Sequence, residues 1–155
     1  ALVKEEFPEA EALFGTSTAG IAHAAITAEI LGLPMGYVRG SAKDHGRQNQ
    51  VEGKLSKGDK VVVVEDLIST GGSVLDCVKV LQENGAEVLG IVSIFTYGMQ
   101  KGKDRLAEAK VVNHSLCDLD ALLPVAVEQG YIEKEEQEKL LRFRDNPSDE
   151  SWREA

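Results

Sequence analysis

A chain of 155 residues suits one globular domain able to bury roughly 70% of its unfolded surface, and it leaves no room for a second complete domain. Its apolar fraction is 43% but the apolar runs are short, as at residues 61–64, far below the ~20 residues of a membrane span. A formal net charge of -9 argues against a general nucleic-acid binder; with two cysteines, Cys77 and Cys117, and no leader-like pattern in residues 1–12, it points to a soluble cytoplasmic protein with neither membrane nor nucleic-acid partner.

In chain order, residues 12–15 read as the end of a short strand. Residues 19–31 carry apolar side chains at helical spacing and stop at Gly32, a residue suited to a left-handed C-cap. Residues 34–39 read as a second short strand. Residues 40–58 are polar, include Gly46, Gly53 and Gly58, and keep no steady period, so a long loop or hairpin is expected there. Loops of that length inside compact domains are usually lids or binding loops.

Residues 60–64 form a β-branched run, the pattern of a parallel strand buried on both faces, and residues 73–84 have helical periodicity ending at Gly85. Strands are expected at 87–95 and 111–115, a helix at 118–129 with Asp118 as N-cap, and a charged helix at 133–143. Strand and helix alternate, so the fold class is α/β with a mainly parallel central sheet flanked by helices. The expected organisation is a catalytic domain over 1–144 and a polar, fraying tail over 145–155.

The segment that carries chemistry is VVVVEDLISTGGS at residues 61–73. A buried strand delivers two adjacent carboxylates and then a small-residue turn that opens a helix, at the strand end where parallel sheets bind ligands. Ser69, Thr70, Gly71, Gly72 and Ser73 offer backbone N–H groups and hydroxyls to a phosphate, aided by the helix N-terminus. Glu65 and Asp66 would repel that phosphate unless they face hydroxyls or a cation, so ribose diols and magnesium suit them. The plainer alternative is Ser69 or Thr70 capping the helix, with two solvated acids. Neither GxxxxGK[ST] nor GxGxxG is present. An anionic ligand needs local cations in so acidic a chain, and Arg39, Lys43, His45, Arg47 and Lys54 are concentrated in the loop region.

This segment resembles the ribose-phosphate-diphosphate binding motif of type I phosphoribosyltransferases. YVRGSAKDHGRQNQVEG at 37–53 resembles the flexible catalytic loop of the orotate phosphoribosyltransferase family, and GTSTAGIAHAA at 15–25 its diphosphate-side loop. The resemblance covers nearly the whole chain. It implies transfer of a phosphoribosyl group from 5-phosphoribosyl 1-diphosphate to orotate, with Mg²⁺. By the same resemblance Glu65 and Asp66 bind the ribose hydroxyls, and Leu67 belongs to the donor-binding run. Ile68, Ser69, Thr70, Gly71, Gly72 and Ser73 surround the 5-phosphate, and Ser69 also lies near the orotate ring. Arg39, Lys43 and His45 reach the diphosphate of a neighbouring subunit's site, which implies a homodimer with shared active sites; Asp44 is a candidate for proton handling. No resident metal site is expected.

The sequence departs from that pattern in places. Gly40-Ser41 follows Arg39 where a basic residue is common, Ala19 stands where some branches carry lysine, and Tyr97 lies where some carry an arginine for orotate. The family's N-terminal helical and hood segment, which contributes much of the orotate site, is not matched in this sequence, which begins inside what resembles a helix leading to the first strand and reads as a fragment. His23, His114, Cys77 and Cys117 read as packing residues, Trp152 as a loose surface contact, and the charges at 133–138 as a solvated helix face. A purine phosphoribosyltransferase would share the donor motif without AKDHG at 42–46. A non-catalytic regulator keeping the donor pocket as a sensor is disfavoured by the acidic net charge and by Lys43 and His45.

Overall fold

The computed structural model describes residues 2–40 and 50–149. The order is α1 (Leu2–Glu6), β1 (Ala12–Thr16), α2 (Ala19–Leu31), β2 (Met35–Val38), β3 (Val51–Glu52), β4 (Lys60–Ile68) and α3 (Gly72–Glu83). There follow β5 (Glu87–Thr96), α4 (Gln100–Glu108), β6 (Asn113–Asp118), α5 (Leu119–Glu128) and α6 (Lys134–Asp145). One six-stranded sheet has the order β3-β2-β1-β4-β5-β6, parallel throughout except for β3, which runs antiparallel to β2. The α/β expectation with a mainly parallel sheet therefore holds.

β4 lies between β1 and β5, and alternate side chains feed two cores. Val61 and Val63 join Phe14, Val74, Val78, Leu81 and Ile91 on the α3 face. Val62 and Val64 join Leu13, Ala24, Ala28, Phe7 and Val92 on the face covered by α1 and α2. Burial on both faces is what a continuous valine run signals. β1 leads into α2 by a tight crossing: a Cβ on Gly15 would lie 2.7 Å from the Gly20 carbonyl oxygen, so the strand and helix backbones meet directly.

The elements differ from expectation at three places. β4 continues to Ile68 instead of stopping at Val64, because β5 keeps pairing with it through Leu67↔Phe95 and Ile68↔Thr96. The last strand is displaced from 111–115 to Asn113–Asp118: the Val111 N–H bonds back to the Leu106 carbonyl at 3.0 Å, which closes α4, and pairing with β5 begins at Asn113. Helix α4 itself was not expected, since QKGKDRLAE has few apolar residues and an internal glycine that lowers helix propensity.

Other local signals hold. Gly32 caps α2 at φ 67°. The Asp118 Oδ1 accepts from the Ala121 N–H at 2.8 Å as the N-cap of α5, and α6 opens on a capping box between Glu133 and Glu136. Arg144 ties α6 to α5 through a 2.5 Å bond to Asp120. His114 packs edge-on against Phe7 at 5.6 Å and lies 3.5 Å from the Glu6 carboxylate, a packing role as expected. No helix of the described residues is long and apolar enough to cross a membrane.

Phe14 is fully buried in β1 between β2 and β4. Phe14→Ala is expected to cost about 3–5 kcal/mol, read as a lowered urea midpoint at unchanged slope.

Candidate active site

The carboxyl ends of β1, β2 and β4 converge beside the start of α3. A cavity of about 120 Å³ there is lined by Thr16, Ser17, Val38, Arg39, Gln50, Ser73 and Asp76, among others. It brings together the diphosphate-side loop, the first lid cation and the donor helix, three segments far apart in the chain. The Ser17 hydroxyl donates to the Val38 carbonyl at 2.6 Å, fastening the loop after β1 to β2. Arg39 lies at the end of β2; its N–H bonds the Gln50 carbonyl at 2.9 Å, and its Nε is 3.4 Å from the Glu52 carboxylate on β3. Lys43, Asp44 and His45 lie outside the described residues, as does Trp152.

Because β4 is longer than expected, Glu65 and Asp66 lie within the strand, and adjacent strand residues point to opposite faces. Glu65 is 5% exposed. The Thr16 hydroxyl donates to its Oε1 at 2.5 Å and the Asp66 N–H at 3.0 Å, so the carboxylate bridges β1 and β4. Burial pushes the Glu65 carboxyl up to about 7; the Asp66 side chain adds to the rise, while the bond from Thr16 opposes it. Asp66 is half-buried, Leu67 exposed and Ile68 buried.

Ser69 and Thr70 are partly exposed, Gly71 is buried, and Gly72 and Ser73 begin the helix. The N-cap of α3 is Gly71 itself, at φ 74°, and no side chain caps the helix. Ser69 and Thr70 are therefore not capping residues, and the first-turn N–H groups remain disposed toward an incoming anion. A second cavity, of about 310 Å³, is lined by Ser69, Thr96, Gly98, Lys103, Asn113 and Asp118 among others.

Cys77 packs behind the site, where burial raises its thiol to about 12, so it is a poor nucleophile. Cys117 donates weakly to the Asp118 carbonyl at 3.5 Å. Two residues of the site, Gly102 and Arg105, went unread in the sequence because they belong to the helix that the composition obscured, and Thr16 was read only as part of the loop at 15–25, not as the partner of Glu65. Only the pairing of β1 with β4 and the docking of α4 reveal them.

The model of the phosphoribosyl transferase domain matches residues 6–121, so the chain is of the phosphoribosyl transferase class. The chain is 58% identical over 151 residues to the orotate phosphoribosyltransferase of Bacillus cytotoxicus, covering 97% of this chain and 72% of that protein. The crystal structure of orotate phosphoribosyltransferase from Aeropyrum pernix superposes with a TM-score of 0.71 at 32% identity, covering 84% of this chain and 71% of that one. The Mycobacterium tuberculosis orotate phosphoribosyltransferase solved with 5-phospho-alpha-D-ribosyl 1-diphosphate shares the fold, with a TM-score of 0.66 at 24% identity over 78% of this chain and 69% of that one. This chain belongs to the orotate phosphoribosyltransferase family.

The raised Glu65 has a defined consequence for stability. In the unfolded chain the carboxyl ionises near its ordinary 4.5, whereas in the fold it holds its proton to about 7. Its favourable contribution is therefore complete below about 4.5 and is lost as pH rises to about 7. Glu65→Gln removes that dependence. Denaturant midpoints of parent and variant should diverge across this window in favour of the variant and run parallel above it; a gap constant with pH would contradict the buried-carboxyl assignment.

Proposed function

We infer that the chain acts as an orotate phosphoribosyltransferase, moving the phosphoribosyl group of 5-phosphoribosyl 1-diphosphate onto orotate to give orotidine 5'-monophosphate and diphosphate in pyrimidine (UMP) biosynthesis. The observation that carries this reading is the turn at residues 69–73, where no side chain caps the helix and where Ser73 lines the Thr16 and Arg39 cleft, in a chain 58% identical to enzymes of that name. In the reaction the bond from ribose C1 to diphosphate breaks, the electron pair leaves on the diphosphate, and a ring nitrogen of the base closes on C1. The chain's task is to hold the two substrates in line and to neutralise the leaving group.

Residues 68–73 hold the 5-phosphate through backbone N–H groups and hydroxyls. Asp66, half-buried at the strand end, and Glu65 behind it serve the ribose hydroxyls. Ser69 borders both the donor turn and the larger cavity, and the base is placed against it. Arg39 presents a planar fork to diphosphate oxygens, while Lys43 and His45 supply mobile cations and Asp44 a proton acceptor. Among the described residues no group of three or more His, Cys, Asp or Glu side chains gathers around a metal position. Of the two carboxylates the half-buried Asp66 is the one that would meet Mg²⁺, which is commonly bound by one or two carboxylates plus substrate phosphates. When bound, it offsets the charge of the diphosphate. A cytoplasmic location accords with two unpaired cysteines, one of them buried.

Incubating the chain with phosphoribosyl diphosphate, Mg²⁺ and orotate, hypoxanthine or adenine in turn, and following diphosphate release, tests the reading. Release with orotate alone is expected. Release with a purine alone would reassign the acceptor, and donor binding without release would favour a sensor.

We further propose that the lid residues act across a homodimer. Lys43→Ala and Asp66→Ala, each nearly inactive alone, should then regain about a quarter of parental activity on subunit exchange, since half the dimers carry one intact site of two. No recovery after confirmed exchange would place the lid in cis.

A further inference from the structure

Helix α4 lies against the donor turn at two points one helical turn apart, Gly102 and Arg105, a spacing that puts both on the same helix face. A Cβ on Gly102 would fall 2.7 Å from the Ser69 carbonyl oxygen, so only a glycine lets the helix backbone come this near. The Arg105 Nη1 donates to the Thr70 carbonyl at 3.1 Å and lies 3.4 Å from the Thr70 hydroxyl. The Thr70 carbonyl is thus hydrogen-bonded by α4, and the Ser69 carbonyl is packed against its backbone at Gly102.

Peptide planarity turns that contact into an aiming device. In a trans peptide the N–H points opposite to its carbonyl, so fixing the Ser69 carbonyl on α4 sends the Thr70 N–H away from the helix. Fixing the Thr70 carbonyl does the same for the Gly71 N–H. Neither N–H donates to an acceptor among the described residues. Gly71, at φ 74°, permits the reversal that joins this turn to α3. A turn of small residues has few contacts of its own to choose this orientation over a flipped one.

We propose that Gly102 and Arg105 are positioning residues that hold the Ser69 and Thr70 carbonyls against α4, so that the Thr70 and Gly71 N–H groups are presented to the phosphate monoester of the donor. The inference rests on the donor-site reading above. Arg105 touches the loop and not the ligand, and its cation also lessens the charge that a bound phosphate brings.

The test is titration calorimetry of the full chain and of Arg105→Ala, Arg105→Lys and Gly102→Ala with two probes, ribose 5-phosphate and inorganic diphosphate, alongside melting temperatures. Arg105→Ala and Gly102→Ala are expected to weaken ribose 5-phosphate about tenfold, the value of one charge-assisted hydrogen bond, while diphosphate affinity stays at the parental level. Arg105→Lys, which keeps one donor, should recover part of the loss, and in initial-rate measurements the donor KM should rise with the orotate KM unchanged. Parental ribose 5-phosphate affinity in the folded variants would overturn the positioning role alone, as would an equal loss for both probes. If the parent chain binds ribose 5-phosphate at no concentration, the donor reading itself falls, and this inference with it.

Discussion

The parallel pairing of β4 with β1 on one side and β5 on the other is the constraint on which the site depends. It is enforced by burial, because Val61 to Val64 are almost completely removed from solvent on both faces of the sheet. A one-residue slip would bring Lys60 or Glu65 into a position now filled by a buried valine, so the charged ends of the run set the register. Once it is set, the ends of β1, β2 and β4 lie side by side. Residues separated in sequence by more than twenty and up to sixty-four positions, Thr16 to Val80, then share one crevice.

That arrangement carries an electrostatic cost at Glu65, and Thr16 is the local response to it. A carboxylate nearly out of water is disfavoured in its charged form unless hydrogen bonds compensate. The Thr16 hydroxyl and the Asp66 N–H supply two, yet the balance still favours the proton up to about 7. Sites that bind charged, hydroxyl-bearing ligands often hold such a group ready, since the ligand's hydroxyls complete the solvation that the protein withholds. Asp66 points to the other face and is less buried.

The turn after β4 solves a different problem. Its small residues leave the backbone open to close approach but give the turn few side-chain contacts of its own. Support comes from outside: β5 carries the pairing to Ile68, and α4 meets the carbonyls of Ser69 and Thr70. Strand, turn and helix act as one unit in which rigidity is supplied by neighbours and access by the glycines. The division resembles that of many sites built on scaffold elements, where precision comes from the surrounding shell.

The sequence by itself determined the α/β class, the places of β1, α2, β2, α3, β5 and α6, and the candidate donor turn, because these are local signals. A β-branched run, helical spacing ending at Gly32, the cap at Asp118 and the string EDLISTGGS all speak through neighbours in the chain. The tertiary structure alone decided where β4 stops, which depends on how far β5 follows it; where β6 starts, which depends on the closing turn of α4; and that Glu65 is buried against Thr16. It also decided the existence of α4 as a support, since a polar stretch with an internal glycine gains its helical state from docking and not from propensity. Long-range pairing and packing choose among conformations that the local sequence leaves nearly equal in energy, and for that reason the boundaries and supports of the site came only with the fold.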